Sequence, residues 1–313
     1  MRTAAKDATV AVSDVPHRRY LLDKEGVLGP LFLLPSVVYL VALVGFPLVL
    51  AILYAFTNVT IGHLVLHFVG LSTFKSAIED PVFRTALWNT FLFTVISQVL
   101  VVVLSTILAF ALSANFRGKW FARFLILLPW TTPIALGAIA WLWMLDSIFS
   151  PIDWVLGHIG LIHKGSHLYW LGRTHLAMGS VIAVQTWRML PLATVILLAG
   201  LTSIPKEIEE QAEIDGAGFW RKMFGVTIPL LLPIIAVAVL FGTVFTFTDM
   251  TVVFVLTRGG PVNATQVLAS WAFFKGIDSG SLAQGAAVAV FMFPVLVGLA
   301  ALILRVARRA EVG

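Results

Sequence analysis

The sequence predicts an all-α polytopic membrane protein with six transmembrane helices and both termini on the cytoplasmic side. Three observations carry this. Of 313 residues, 59% are hydrophobic and only 12% charged, with a mean hydropathy of +0.96, whereas a soluble domain carries about 25% charged residues. Windows free of Asp, Glu, Lys and Arg run from Gly26 to Phe74, Thr85 to Phe116, Phe124 to Leu145, Met223 to Thr248 and Ser279 to Leu304, and about 20 apolar residues cross the hydrocarbon core as a helix. Lysine and arginine, finally, are dense in every second connection.

The spans follow in order. A basic tail, residues 1–28, ends at Gly29-Pro30, and the first span lies near 31–56. The second, near 87–114, and the third, near 122–145, are joined by the tight link from Asn115 to Arg123. A fourth fits near 175–201, interrupted only by Arg188, a fifth near 227–250 and a sixth near 282–306. The spanning domain is thus 29–309, with 310–313 as a C-terminal tail. Continuous apolarity favours helices over barrel strands, which alternate in segments of about ten residues. The outer segments from about Thr57 to Ala86 and Asp146 to Thr174 are longer. In the latter, Ser150-Pro151-Ile152-Asp153 has turn chemistry and Trp154 to Leu161 suits an interfacial helix.

Orientation follows the positive-inside rule. Arg2, Lys6, Arg18, Arg19 and Lys24 precede the first span, and Arg117, Lys119 and Arg123 lie between the second and third. Lys206, Arg221 and Lys222 lie between the fourth and fifth, and Arg305, Arg308 and Arg309 end the chain. Each opposite segment holds only a pair: Lys75 and Arg84, Lys164 and Arg173, Arg258 and Lys275. The net charge of +5 therefore meets anionic lipid headgroups and calls for no nucleic acid partner. Cysteine is absent, which excludes disulfides and thiolate sites. No cleavable signal peptide is expected near the start.

One cytoplasmic connection, about 203–226, is far more polar than its surroundings. Ser203 suits an N-cap, Pro205 the helix start, and Glu207, Glu209 and Glu210 its positive end. The helix is expected to stop near Ile214, where Gly216 permits a sharp turn, and Ala217 to Phe224 to form a second short helix. On charge alone this is a solvated loop. The order Glu210-x-Ala212-x-x-Asp215-Gly216-Ala217, then Phe224, then Ile228-x-Leu230, resembles the EAA loop of ABC importer permeases, departing from it at Gln211 and Pro229. The resemblance implies a type I importer permease fold and coupling helices, carried by Glu210, Ala212, Asp215, Gly216 and Ala217, seated in a cytoplasmic ATPase.

Three further strings, Leu128-Pro129-Trp130-x-x-Pro133, Gln185-Thr186-Trp187-Arg188-x-x-Pro191 and Leu256-Thr257-Arg258-Gly259-Gly260-Pro261, resemble the carbohydrate-uptake branch of these permeases, the maltose and glycerol-phosphate type. That likeness implies residence in a prokaryotic inner membrane with a second homologous permease, two copies of the ATPase and an extracytoplasmic binding protein. It also places sugar-contacting positions on Gln185, Arg188, Met189 and Leu192 and on Gly242, Thr246 and Asp249. The chain lacks a G-x-x-x-x-G-K-[ST] phosphate loop, so ATP and magnesium are assigned to the partner and no cofactor to this chain.

Intramembrane polar side chains are functional candidates by default. Gln185 and Arg188 lie three apart on one helical face, as do Thr246 and Asp249, and Trp187 offers an aromatic face. Arg188 and Asp249 serve equally well as a buried ion pair bracing two helices or as substrate contacts, and the guanidinium would also suit a phosphorylated polyol, the alternative cargo. Asn89, Thr90, Ser97, Gln98, Ser105 and Thr106 are explained by interhelical hydrogen bonding. Six histidines near the outer segments lack metal-ligand spacing, and Asp146, Asp153 and Asp278 are too scattered for hydrolysis of a lipid-linked sugar. No catalytic site and no metal site is predicted. An ion-coupled secondary transporter using Asp249 and Arg188 is the competing class, and it would need no docking knob.

Overall fold

The computed structural model describes residues 25–312, with side chains from 29 to 308. Arg2, Lys6, Arg18, Arg19 and Lys24, with the rest of the N-terminal tail before Glu25, lie outside the described residues. Among those described no strand forms, and only two isolated antiparallel bridges join Thr57 to Phe68 and Thr60 to His63.

The chain divides after Leu50 into two units. The first carries α1 (Glu25–Leu40), a π-helical turn at Val41–Gly45 and the start of α2 (Phe46–Ala55). Together Gly29–Ala55 make a span of 27 residues with mean hydropathy 2.6, matching the first expected span.

The second unit takes in the end of α2 and continues with the short α3 (Ser72–Glu79) and the long α4 (Pro81–Ser113). Asp80 caps α4 by accepting from Val82 N at 2.8 Å, with Pro81 in the first turn where its missing N–H is harmless. Then come α5 (Lys119–Thr131) and α6 (Ile134–Met144), the outer α7 (Pro151–His158) and α8 (Thr174–Ser203). Ser150 caps α7 through Asp153 N, while the buried Asp153 carboxylate accepts from Leu168 N at 3.1 Å and Trp170 Nε1 at 2.8 Å. This aspartate is a loop clamp. Past α8 lie α9 (Lys206–Ile214), α10 (Phe219–Lys222), a π turn at Met223–Thr227, α11 (Ile228–Phe247), α12 (Thr251–Leu256), α13 (Leu268–Phe273), a π turn at Phe274–Asp278 and α14 (Leu282–Val312).

Helix α8 is the centre of this unit. Over half of its apolar window, 56%, is buried, against 17% for the windows of Phe219–Phe247 and Leu282–Arg308, so the latter two keep most of their apolar surface for lipid or protein neighbours. Helices meet where side chains are small. Gly200 of α8 lies beneath Leu231 and Ile234 of α11, and the backbone of Gly276 abuts Gly285 of α14. Phe93, Val181, Val184, Val252 and Leu256 form one buried cluster, and Phe83, Phe247, Leu268, Trp271 and Val288 another.

Four expectations need correction. The third span is two helices bent by 99° at Thr132-Pro133, because Pro133 has no N–H and drives Thr132 into extended backbone, ψ 130°. The segment from Ala217 to Phe224 is no separate helix, since α10, the π turn and α11 run on as one 29-residue rod, Phe219–Phe247. That rod ends before residue 250: Thr248 to Met250 interrupt it, so Thr246 and Asp249 do not share a helical face. At the far end α14 continues through Val312, so residues 310–312 of the expected tail are helical.

Candidate functional site

Two polar features stand out from the apolar bundle. The first is the knob between α8 and α11. Ser203 does not cap α9; it closes α8, its hydroxyl donating to Gly200 O at 2.8 Å, and Pro205 takes the N-cap position. Helix α9 ends at Ile214 as expected, and its termination explains the residue order. Gly216 has φ +75°, the left-handed region that an L side chain resists. Its N–H donates to Glu213 O at 3.0 Å, and Ala217 N–H reaches back to Ala212 O at 2.9 Å. This is a Schellman cap, which satisfies two carbonyls that a helix end would otherwise leave free. Ala212 and Ala217 are its two half-buried ends, while Glu210, Asp215 and Gly216 face outward. Lys222 Nζ and Glu213 Oε1, 2.6 Å apart, tie α10 to α9. Sequence reasoning missed this brace, whose nine-residue separation crosses the turn.

The knob also exposes large apolar side chains. Ile214 is 85% exposed, and Phe219, Trp220 and Phe224 form an exposed ridge with ring centroids 5.2 and 6.0 Å apart. Clustered exposed aromatic side chains are enriched in the cores of protein interfaces, with polar groups at the rim.

The second feature is a buried seam joining α4, α8 and α11. Gln185 of α8 is fully buried, and its Nε2 donates to Thr246 Oγ1 of α11 at 3.1 Å. Gln98 of α4 donates to the same hydroxyl at 3.2 Å. Its carboxamide occupies the space that a Cβ at position 242 would need, so Gly242 is what admits it. One turn from Gln185, the Arg188 guanidinium is paired with Asp249 Oδ2, whose side chain is only 6% exposed. The other oxygen, Oδ1, accepts from Val252 N at 3.0 Å and so caps α12. Asp249 thus holds an arginine and starts a helix at once.

Of the predicted site residues, Gln185, Arg188, Thr246 and Asp249 are brought together across α8 and the end of α11. Trp187 is not; its ring packs on α6, edge-on to Trp141 at 5.6 Å and over Gly137. Gln98 was assigned only to helix contacts, and the sole sequence signal for more was its place near the middle of α4. Asn89 and Thr90 serve the outer hairpin, Asn89 Nδ2 donating to Ala264 O and Gln266 O at 2.8 and 3.0 Å, and Thr90 Oγ1 accepting from Leu268 N. Among the described residues no group of three His, Cys, Asp or Glu could hold a metal ion.

The family model for the inner membrane component of binding-protein-dependent transport systems matches residues 101–311. The chain is 29% identical over 294 residues to the diacetylchitobiose uptake system permease protein DasB of Streptomyces coelicolor, covering 92% of this chain and 89% of the relative. It is 29% identical over 241 residues to the trehalose/maltose transport system permease protein MalF of Thermococcus litoralis, covering 77% and 80%. A chain in the crystal structure of a bacterial alginate ABC transporter, in complex with alginate pentasaccharide-bound periplasmic protein, shares the fold with a TM-score of 0.76 over 92% of this chain and 96% of that one, at 18% identity.

Apolar spans around a polar seam, with a rigid knob at one end, make this a multi-pass membrane permease. The chain belongs to the family of inner membrane components of binding-protein-dependent transport systems, whose relatives named above are permease subunits of saccharide uptake systems.

Proposed function

We propose that this chain is one of two permease subunits of an ATP-driven saccharide importer. An extracytoplasmic binding protein delivers the sugar, and of two copies of a cytoplasmic ATPase, which bind ATP and magnesium, one grips the knob at about 203–226 while the other serves the second permease. Both termini then face the cytoplasm, with residues 29–309 as the spanning domain. The observation that carries the reading is the Schellman-capped knob. A turn whose backbone is fixed by Gly216 and the two alanines, with Glu210 and Asp215 facing out beside exposed apolar anchors, suits transmission of force to a separate protein. Differential contacts with two global states are what such coupling requires.

Gln185 and Thr246 are read as substrate contacts, and Arg188 with Asp249 as the brace that keeps their helices in register. A saccharide suits this seam better than a phosphorylated polyol, because the guanidinium that would bind phosphate is already held by Asp249. Trp187 is read as packing behind the seam.

The test is reconstitution with the ATPase, the partner permease and the binding protein. Glu210→Lys should weaken ATPase association by about 2–5 kcal/mol, as for other interfacial charge pairs, and abolish uptake while membrane insertion stays normal. Normal ATPase co-purification and stimulated hydrolysis in that variant would count against the docking role. Uptake by this chain alone in ATP-free proteoliposomes would replace the reading with an ion-coupled transporter.

A further inference from the structure

Five buried side-chain polar atoms find no hydrogen-bond partner among the described residues: Thr94 Oγ1, Ser97 Oγ, Gln98 Oε1, Ser180 Oγ and Gln185 Oε1. All five lie on α4 or α8. The reason for two of them is geometric. Thr246 Oγ1 receives one N–H from each carboxamide, so each amide turns its nitrogen toward it. The two carboxamide oxygens are left over.

Stability does not explain Gln98. Asn89 on the same helix shows what a structural tie looks like, with its amide shared between two backbone carbonyls. Gln98 makes one long bond and leaves its acceptor unpaired, and an unpaired buried polar atom is a cost that an apolar side chain of similar volume avoids. The position is nonetheless kept open for it, since any side chain at Gly242 would displace the carboxamide. Unpaired intramembrane polar groups of this kind mark transport pathways.

We propose that Gln98 is a substrate-selecting residue, presenting its carboxamide together with that of Gln185 to the hydroxyls of a polyhydroxylated substrate when α11 separates from α4 and α8. A carboxamide both donates and accepts, as does a sugar hydroxyl, so two of them facing one seam match neighbouring hydroxyls on a pyranose. Thr246, holding both amides in the closed arrangement, substitutes for that substrate and keeps them oriented. This inference rests on the saccharide-importer reading.

The test uses the complete transporter in proteoliposomes with its binding protein, and maltose and diacetylchitobiose as probes. Gln98→Leu should lower the uptake rate of a transported probe about tenfold, the equivalent of one or two hydrogen bonds, while the melting temperature of the assembly does not fall. Gln98→Asn, with the same group on a shorter stem, should recover part of the loss. Wild-type uptake in Gln98→Leu would overturn the proposal, as would a loss of uptake that tracks a fall in melting temperature. A wild-type transporter that moves neither probe nor any member of a panel of mono- and oligosaccharides would overturn the saccharide reading beneath it, an outcome distinct from either.

Discussion

The knob and the seam are both polar features in an apolar chain, yet they are built by opposite means. Every bond that shapes the knob is local: Gly216 to Glu213, Ala217 to Ala212, Lys222 to Glu213. The seam is assembled from residues far apart in the chain, with Gln185 reaching Thr246 and Arg188 reaching Asp249 across 61 positions, and Gln98 reaching Thr246 across 148. A local structure keeps its shape while the rest of the molecule moves, which suits the force-transmitting role proposed for the knob. A structure made by three helices comes apart when one of them shifts, which suits the substrate contacts proposed for the seam.

This contrast is easiest to break at the seam. Asp249→Ala strands Arg188 in the bundle and removes the cap of α12, and loss of one partner of a buried pair costs about 3–5 kcal/mol. The purified protein should lose thermal stability accordingly. The double replacement Arg188→Met with Asp249→Leu should return most of it if the pair is a brace, and scanning fluorimetry of the three forms checks this. A double variant as unstable as the single one would show that Asp249 acts mainly through Val252.

At the knob the effect should be smaller and confined. Gly216→Val forces a β-branched residue into the left-handed region at a cost of about 1–3 kcal/mol. The melting temperature of the bundle should stay nearly unchanged while ATPase co-purification falls. A global loss of stability would mean that the knob is not the independent piece its bonding suggests. Smallest of all, Glu213→Gln removes a partly exposed ion pair worth about 0–1 kcal/mol, and coupled uptake should remain within about twofold of wild type.

Legibility followed the same division. The order of acid, alanine and glycine in the knob was readable because each residue answers to neighbours within a few positions, and α9 ends at Ile214 as the glycine requires. Ser203 was misread because its hydroxyl had a competing partner in the preceding helix, Gly200 O. Long apolar spans were readable from hydropathy, which averages over a window and so passed over the 99° break at Pro133. The same averaging hid the interruption at Thr248–Met250. Gln98 and Thr246 were visible as polar residues in spans, but only the packing of α4 on α11 through Gly242 shows that they meet.

The π turn at Met223–Thr227 sets the angle between the knob's aromatic ridge and the span below it. Such a turn carries one residue more than regular α-geometry, and one residue corresponds to a rotation of about 100°. Phe219 and Trp220 therefore point where that extra residue sends them, while Leu231 and Ile234 further along keep their seat on Gly200. The rod has the shape of a crank with a fixed offset, and shortening it by a single position at Gly225 would re-aim the aromatic ridge without touching the contact of Leu231 and Ile234 with Gly200.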